Sequence, residues 1–324
     1  MAEGNGLIFA CELDGHGGGR EVGWDAIPAT PPTAGFLWVH LDYEAPNVGR
    51  WLAESSAIDP LICEALTAED PRPRSLAHRD GLLLILRGVN EHPGSDPEDM
   101  VSIRMWIEAN RAITLRRRRV MAVQDLQETI AKGSGPRDAG DFLVDLADHL
   151  IERLAVVLAD LDERIDAIEE SMLVAEAREL RPKLSDVRRQ CIGLRRYLAP
   201  QRDVLSRLQT ERVGWFDEIH RNRLREIGDR TTRYVEDLDA DRERSAVTHE
   251  ELDNRLSEQL NRRMYALSVI AGIFLPLSFL TGLLGINVGG IPGSDTPTAF
   301  AIVCGLMTGI AAFQIWLFRR LRWM

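Results

Sequence analysis

The sequence predicts an α+β soluble domain in α/β/α layers, followed by a long stalk helix and two C-terminal helices that cross a membrane. Three observations predict it. Short apolar runs alternate with turns over residues 1–140. Apolar residues then recur every three or four positions up to the final fifth of the chain. Two charge-free runs close it, each long enough to cross a bilayer.

Within residues 1–140 the runs "GLIFACEL", "GFLWVHLDY" and "GLLLILRGV" read as strands, and "MVSIRMWIEANRAITLRRR" as a hairpin turning near Ala109 to Arg111. Pro46 to Leu66 reads as helical material broken before Pro60, so strands and helices mix in one domain. Lys132 to Gly140, "KGSGPRDAG", is a linker by composition. Residues 141–200 read as antiparallel helices. Leu146, Leu150, Leu154, Val157, Leu161, Ile165, Ile168 and Met172 form one apolar seam, and Leu184, Val187, Cys191, Leu194 and Leu198 repeat it after Pro182.

Residues 201–263 form the stalk region. A register begins near Asp217 and continues through Ile227, Thr231, Tyr234, Leu238, Asp241, Ser245, Thr248 and Leu252. No proline or glycine interrupts Asp229 to Tyr265, so one helix is expected to run from the soluble region into the first span. The seam turns polar at Asp241, Ser245 and Thr248. That suits a helix facing water in a vestibule, or a loosely packed symmetric stalk.

The first span is set at 264–286, an outer loop at 287–297, the second span at 298–318 and a basic tail at 319–324. Met264 to Leu284 and Thr298 to Phe318 are each 21 residues without a charge. At about 1.5 Å per residue each covers roughly 31 Å, the thickness of the hydrocarbon core. Arg262 and Arg263 precede the first span, Arg319, Arg320 and Arg322 follow the second, and the link between has no Lys or Arg. By the positive-inside rule both ends face the cytoplasm. From Arg262 onward the net charge is +4 against −11 for the whole chain, which leaves −15 on the preceding body.

Several classes are excluded. The start "MAEGNGLIFACELDG" has neither a basic n-region nor a long apolar run, so no secretory signal is expected. Cys11, Cys63, Cys191 and Cys304 lie far apart, without the C-x-x-C spacing of a zinc finger or redox motif. No G-x-x-x-x-G-K-[ST] loop occurs, which argues against a nucleotide-driven pump. "RRRR" at Arg116 to Arg119 ends a strand in an acidic domain, where charge pairing is favoured over nucleic acid. Asp14 and His16 in "ELDGHGGG", and Glu91, His92, Asp96, Glu98 and Asp99 in "NEHPGSDPED", carry metal-ligand residue types, but glycine and proline around them favour turn chemistry. Glu236, Asp237, Asp239, Asp241, Glu243, Glu250, Glu251 and Asp253 load the stalk with negative charge; pairing with Arg242, Arg244 and Arg255 is the preferred reading.

Two spans on a stalk fit an anchor, a signalling receptor or part of a channel. Pro276 cannot donate to the carbonyl of Gly272, which must then be met by protein or water. Ser278, Thr281 and Asn287 add polar groups, while Ala271, Gly272, Gly282 and Gly285 permit close approach. The second span offers Gly305 and Gly309, with Cys304, Thr308 and Gln314. One protomer with a single lining helix cannot enclose a pore, so a channel requires a symmetric ring.

The order of these parts, with Gly285-Ile286-Asn287 at the outer end of the first of two C-terminal spans, resembles the CorA family of divalent-metal transporters. The magnesium members carry Gly-Met-Asn there. Ile286, the following "VGGIPG", "WVHLDY" at Trp38 to Tyr43 and "LRGVN" at Leu86 to Asn90 resemble its zinc-transporter branch, ZntB. The resemblance covers nearly the whole chain. It implies a symmetric homopentamer in the inner membrane that moves a hydrated divalent cation, zinc first, through a central pore; proton coupling is known in that branch. It implies no enzyme activity and no bound cofactor beyond the transported cation. The partners expected are further copies of the chain, the lipid bilayer and divalent ions, with no nucleic acid or nucleotide.

The family's pore-lining face falls on Asn287, Gly282, Ser278, Leu275, Ala271, Leu267, Met264 and Asn261, with Gly285 and Ile286 completing the signature. These positions share one helical stripe. They include no Cys, His or Glu, the residue types that hold zinc at about 2.0–2.3 Å, so a hydrated ion touching amide oxygens is the expected cargo. Leu275 and Leu267 could close the path by dewetting. Asp295 in the outer loop would place a carboxylate near the mouth. The alternatives are a magnesium or broad divalent channel, for cobalt and nickel as well, of the same family, and a membrane-anchored sensor or scaffold.

Overall fold

Seven strands pair into one sheet: Leu7–Leu13 (β1), Gly19–Val22 (β2), Phe36–Asp42 (β3), Arg74–His78 (β4), Gly81–Gly88 (β5), Val101–Glu108 (β6) and Arg111–Arg116 (β7). Their order is β2-β1-β3-β7-β6-β5-β4, antiparallel throughout except where β3 runs parallel to β7. The computed structural model describes residues 6–69, 71–172, 177–286 and 297–320. These divide into two units, Met1–His249 and Glu250–Met324.

In the first unit the sheet is buried on both faces. Along β5, "GLLLILRG", every residue is buried, as expected for a strand covered on two sides. Leu82, Leu84 and Leu86 join a core with Met121–Ala131 (α3) and Ala139–Ser171 (α4), while Leu83 joins a second core with Pro46–Glu54 (α1) and Pro60–Thr67 (α2). The result is the α/β/α layering expected from the sequence. Asp59 explains the break before Pro60: its carboxylate accepts from Leu61 N at 3.0 Å and caps α2, with Pro60 in the first turn. β2 and β4, short edge strands, and α3 were not anticipated. The expected linker contributes only a turn, since Asp138 caps α4 by accepting from Asp141 N at 2.8 Å.

Beyond the sheet, α4 packs with Ala177–Leu208 (α5) and with the first part of Glu218–Leu284 (α6). Cys191, Leu194 and Leu198 are buried as expected, and α5 continues through Pro200 to Leu208, past the boundary set at 200. On α4 the seam passes through Leu158, with Val157 only half-buried, because "VVL" offers two equally spaced steps.

Asp241, Ser245 and Thr248 do not face a water-filled vestibule. They are 6%, 1% and 5% exposed, on the same buried stripe as Thr231 and Leu238. Thr231 and Thr248 tolerate burial because each hydroxyl donates to the carbonyl four residues earlier, at 2.7 and 2.8 Å. Outside that stripe, arginines of α6 meet carboxylates of α4: Arg223 with Asp141 and Asp145, Arg230 with Asp148, and Arg244 with Asp162, Asp166 and Glu169.

The second unit holds the rest of α6 and Ala299–Arg320 (α7). α6 is one helix of 67 residues, about 100 Å at the standard rise. Both helices are long and apolar enough to cross a membrane, with mean hydropathy 2.1 and 1.9 over their most apolar stretches.

Candidate functional site

Within the second unit, most half-buried residues of the two spans fall on one stripe of each helix. On α6 these include Gly272, Ile273, Leu277 and Leu280, with Val269 buried; on α7 they include Val303, Met307, Ala311, Gln314 and Phe318. These are the faces on which the two helices meet, since Gln314 and Phe318 both reach Gly272. The residues expected to line the path lie about half a turn away around α6. Met264, Leu267 and Leu275 are 66%, 67% and 68% exposed. Asn261, Ser278, Gly282, Gly285 and Ile286 are also exposed, and Ala271 is half-buried. Phe274 and Phe279 flank this stripe, one on each side.

The stripe is chemically sparse. An amide at Asn261 and a hydroxyl at Ser278 are its polar side chains among the described residues, separated by thioether and aliphatic groups. Among the described residues the stripe offers none of the thiolate, imidazole or carboxylate groups that hold a zinc ion. At the C-terminal end of α6 Gly285 N donates to Thr281 O at 2.9 Å, the last turn of the helix. Asn287 and Asp295 lie outside the described residues.

Pro276 interrupts the hydrogen-bond ladder of α6 beside the stripe, and the orphaned carbonyl is met from the other span. Gln314 Nε2 donates to Gly272 O at 3.4 Å. The sequence marks this orphan but leaves its partner open.

The other clusters singled out in the sequence resolve as turns and pairs. Asp14 Oδ1 accepts from His16 N at 2.7 Å and Gly18 N at 3.0 Å, an Asx turn that holds the carboxyl below its usual range. Glu91 pairs with Arg153 at 2.7 Å and Glu98 with Arg189 at 3.5 Å. Within "RRRR", Arg117 pairs with Glu44 at 2.6 Å. On the stalk, Arg255 pairs with Glu251 at 2.6 Å as expected, whereas Arg244 turns instead to the carboxylates of α4.

Two further groups carry no signal in the sequence. Asp138, Asp141 and His220 bring ligand atoms within 4.8 Å of one another, an arrangement that could hold a metal. Asp141 is already engaged, however: Oδ2 accepts from Arg137 Nε and Oδ1 from Arg223, each at 3.0 Å, so the group reads as a joint between the starts of α4 and α6. His40, in "WVHLDY", is fully buried with Nδ1 2.8 Å from Thr114 Oγ1, and burial beside the charge of Arg116 pushes its pKa down to about 3. It is a neutral core histidine. Burial among carboxylates, Asp162 foremost, pushes Asp241 up to about 6, and burial raises the Cys191 thiol to about 12.

Residues 33–320 match the family described as CorA-like Mg2+ transporter protein. The chain is 44% identical over 324 residues to the divalent cation transporter CmaX of Pseudomonas aeruginosa, covering 98% of this chain and 97% of that one. It is 36% identical over 321 residues to the zinc transport protein ZntB of Pectobacterium carotovorum, covering 99% and 97%. A solved structure of full-length CmaX, 43% identical, superposes with a TM-score of 0.87 over 99% of each chain.

Proposed function

Because the chain belongs to the CorA-like transporter family and is a divalent cation transporter of that family, we propose that it carries zinc as its preferred cation. A central path made by the first spans of a homopentamer in the inner membrane, with both termini cytoplasmic, is the route. The observation that supports a path along α6 is its exposed stripe from Asn261 to Ile286, on the side of the helix away from α7. In one protomer that stripe faces nothing; a ring of copies turns it into an enclosed path. Asn261 and Ser278 would then form rings of neutral oxygen, joined at the outer end by Asn287. Leu267 and Leu275 would form apolar constrictions that open by wetting.

Zinc is supported by the 36% identical zinc transporter and by Ile286 in the Gly-x-Asn signature. A broader divalent range, reaching magnesium, cobalt and nickel, is supported by a stripe without thiolate, imidazole or carboxylate, and by the 44% identical relative named for divalent cations at large. Flux of zinc, magnesium, nickel and cobalt into vesicles, with and without a pH gradient, separates the two. Zinc flux exceeding the others supports the first; magnesium flux without zinc flux moves the assignment to the second. A pH gradient that changes the zinc rate adds proton coupling to either. A monomer or dimer by mass measurement in detergent would count against any central path.

A further inference from the structure

Among the described residues the two spans meet through polar atoms at Gly272. Pro276 has no N–H, so the carbonyl of Gly272 loses the donor that the helix would otherwise supply. In hydrocarbon such a carbonyl is costly unless another group meets it. The side chain of Gln314 on α7 does so, donating from Nε2 at 3.4 Å. One turn further along α7, Phe318 lies against the same glycine, where an added Cβ would come within 3.0 Å of the ring Cζ. Gly272 is therefore a socket that takes an amide on its carbonyl and a ring on its Cα. Its neighbours Ala271 and, one turn on, Leu275 belong to the exposed stripe.

We propose that Gln314 is a positioning residue for transport: its amide replaces the donor that Pro276 lacks and so fixes the course of the first span behind Leu275 and Ser278. The proposal rests on the transport reading above. It explains why a polar amide sits in a span otherwise built of apolar and small residues, on the face that meets α6.

The logic predicts a dependence between two positions rather than a simple loss. In the full-length wild type, Gln314→Leu removes the donor and leaves the Gly272 carbonyl orphaned. In a Pro276→Ala background the backbone N–H at 276 is restored, Gly272 regains its helical donor, and Gln314 becomes dispensable. The cycle is read twice, as thermal unfolding of the detergent-purified oligomer and as zinc flux into vesicles. Expected in the wild-type background is a lower unfolding midpoint and a maximal rate reduced about three- to tenfold, the range of an interhelical hydrogen bond in a bilayer. The half-saturating zinc concentration is unchanged, because no lining group is altered. In the Pro276→Ala background Gln314→Leu changes neither readout. Gln314→Met, unbranched and similar in length, serves if the branched side chain disrupts assembly.

Equal effects of Gln314→Leu in both backgrounds, or none in either, overturn the proposal. Dependence in the unfolding midpoint without dependence in flux leaves the bond standing and overturns the positioning role. Wild-type vesicles that carry none of the four cations overturn the transport reading and the positioning role with it, while the unfolding cycle still reports the bond.

Discussion

Asp241 sits on the buried stripe of α6 with Asp162 and Asp166 of α4 and Asp237 of its own helix nearby, and Arg244 as counter-charge. Its folded pKa, about 6, stands above the usual carboxylate value of 3.8. A group raised in this way favours the fold below its unfolded pKa, and that contribution is lost as pH rises through 6. Asp241→Asn, which keeps the shape without the charge, should therefore stabilise the protein at pH 7.5 by at most about 3 kcal/mol, and nearer about 2 after solvent screening of the carboxylate. The gain should fall steadily below pH 6 and vanish only below the unfolded value of 3.8. Thermal unfolding of both proteins across that range checks it; a difference independent of pH would show that charge is not the cause. Residues of this kind were the least legible in the sequence. The three-four spacing placed Asp241, Ser245 and Thr248 on the seam, but their polarity argued for water, and only packing against α4 and α5 settles which side of the helix is dry.

The strands and helices that carry the fold were legible where one period dominated. β3, β5 and the β6–β7 hairpin announced themselves by continuous apolar runs bounded by turns, as a sheet covered on both faces requires. β2, "GREV", and β4, "RSLAH", are short, polar and at the sheet edges, and no local pattern distinguishes them from loops. The same limit hid the joint between the starts of α4 and α6, whose members are 82 or so positions apart. Gly140 is its tightest contact: an added Cβ would come within 2.3 Å of the His220 ring. Gly140→Ala should lower stability by about 1–3 kcal/mol, the range of an overpacked core site, read as a drop in the unfolding midpoint. An unchanged midpoint would mean that the imidazole moves aside freely. In the second unit the sequence marked Pro276 and its orphaned carbonyl, yet the choice of Gln314 as its partner depends on how α7 is rotated, which periodicity leaves open.

Across the whole chain, the order of parts and the Gly-x-Asn placement were sufficient to identify the family, because a short signature gains specificity from where it stands. The metal is not legible, since the residues proposed to line the path offer only neutral oxygens among the described positions, and such groups discriminate hydrated cations weakly. The sheet consists of two locally connected halves, β2-β1-β3 and β7-β6-β5-β4, joined by the single parallel pair β3–β7. Leu37 pairs with Arg111, and Asp42 with Arg116. At about 5–20 residues per second, the ribosome takes roughly 4 to 15 seconds to supply the second partner after the first. A released fragment ending at Glu108 should therefore self-associate, by light scattering, far more than one ending at Leu208; equal scattering would show that the first half shields its own edge. Throughout that interval the nascent chain offers "FLWVHLD" as an unpaired apolar edge, so synthesis of this protein passes through a window in which its yield depends on chaperone protection more than on the stability of the finished fold.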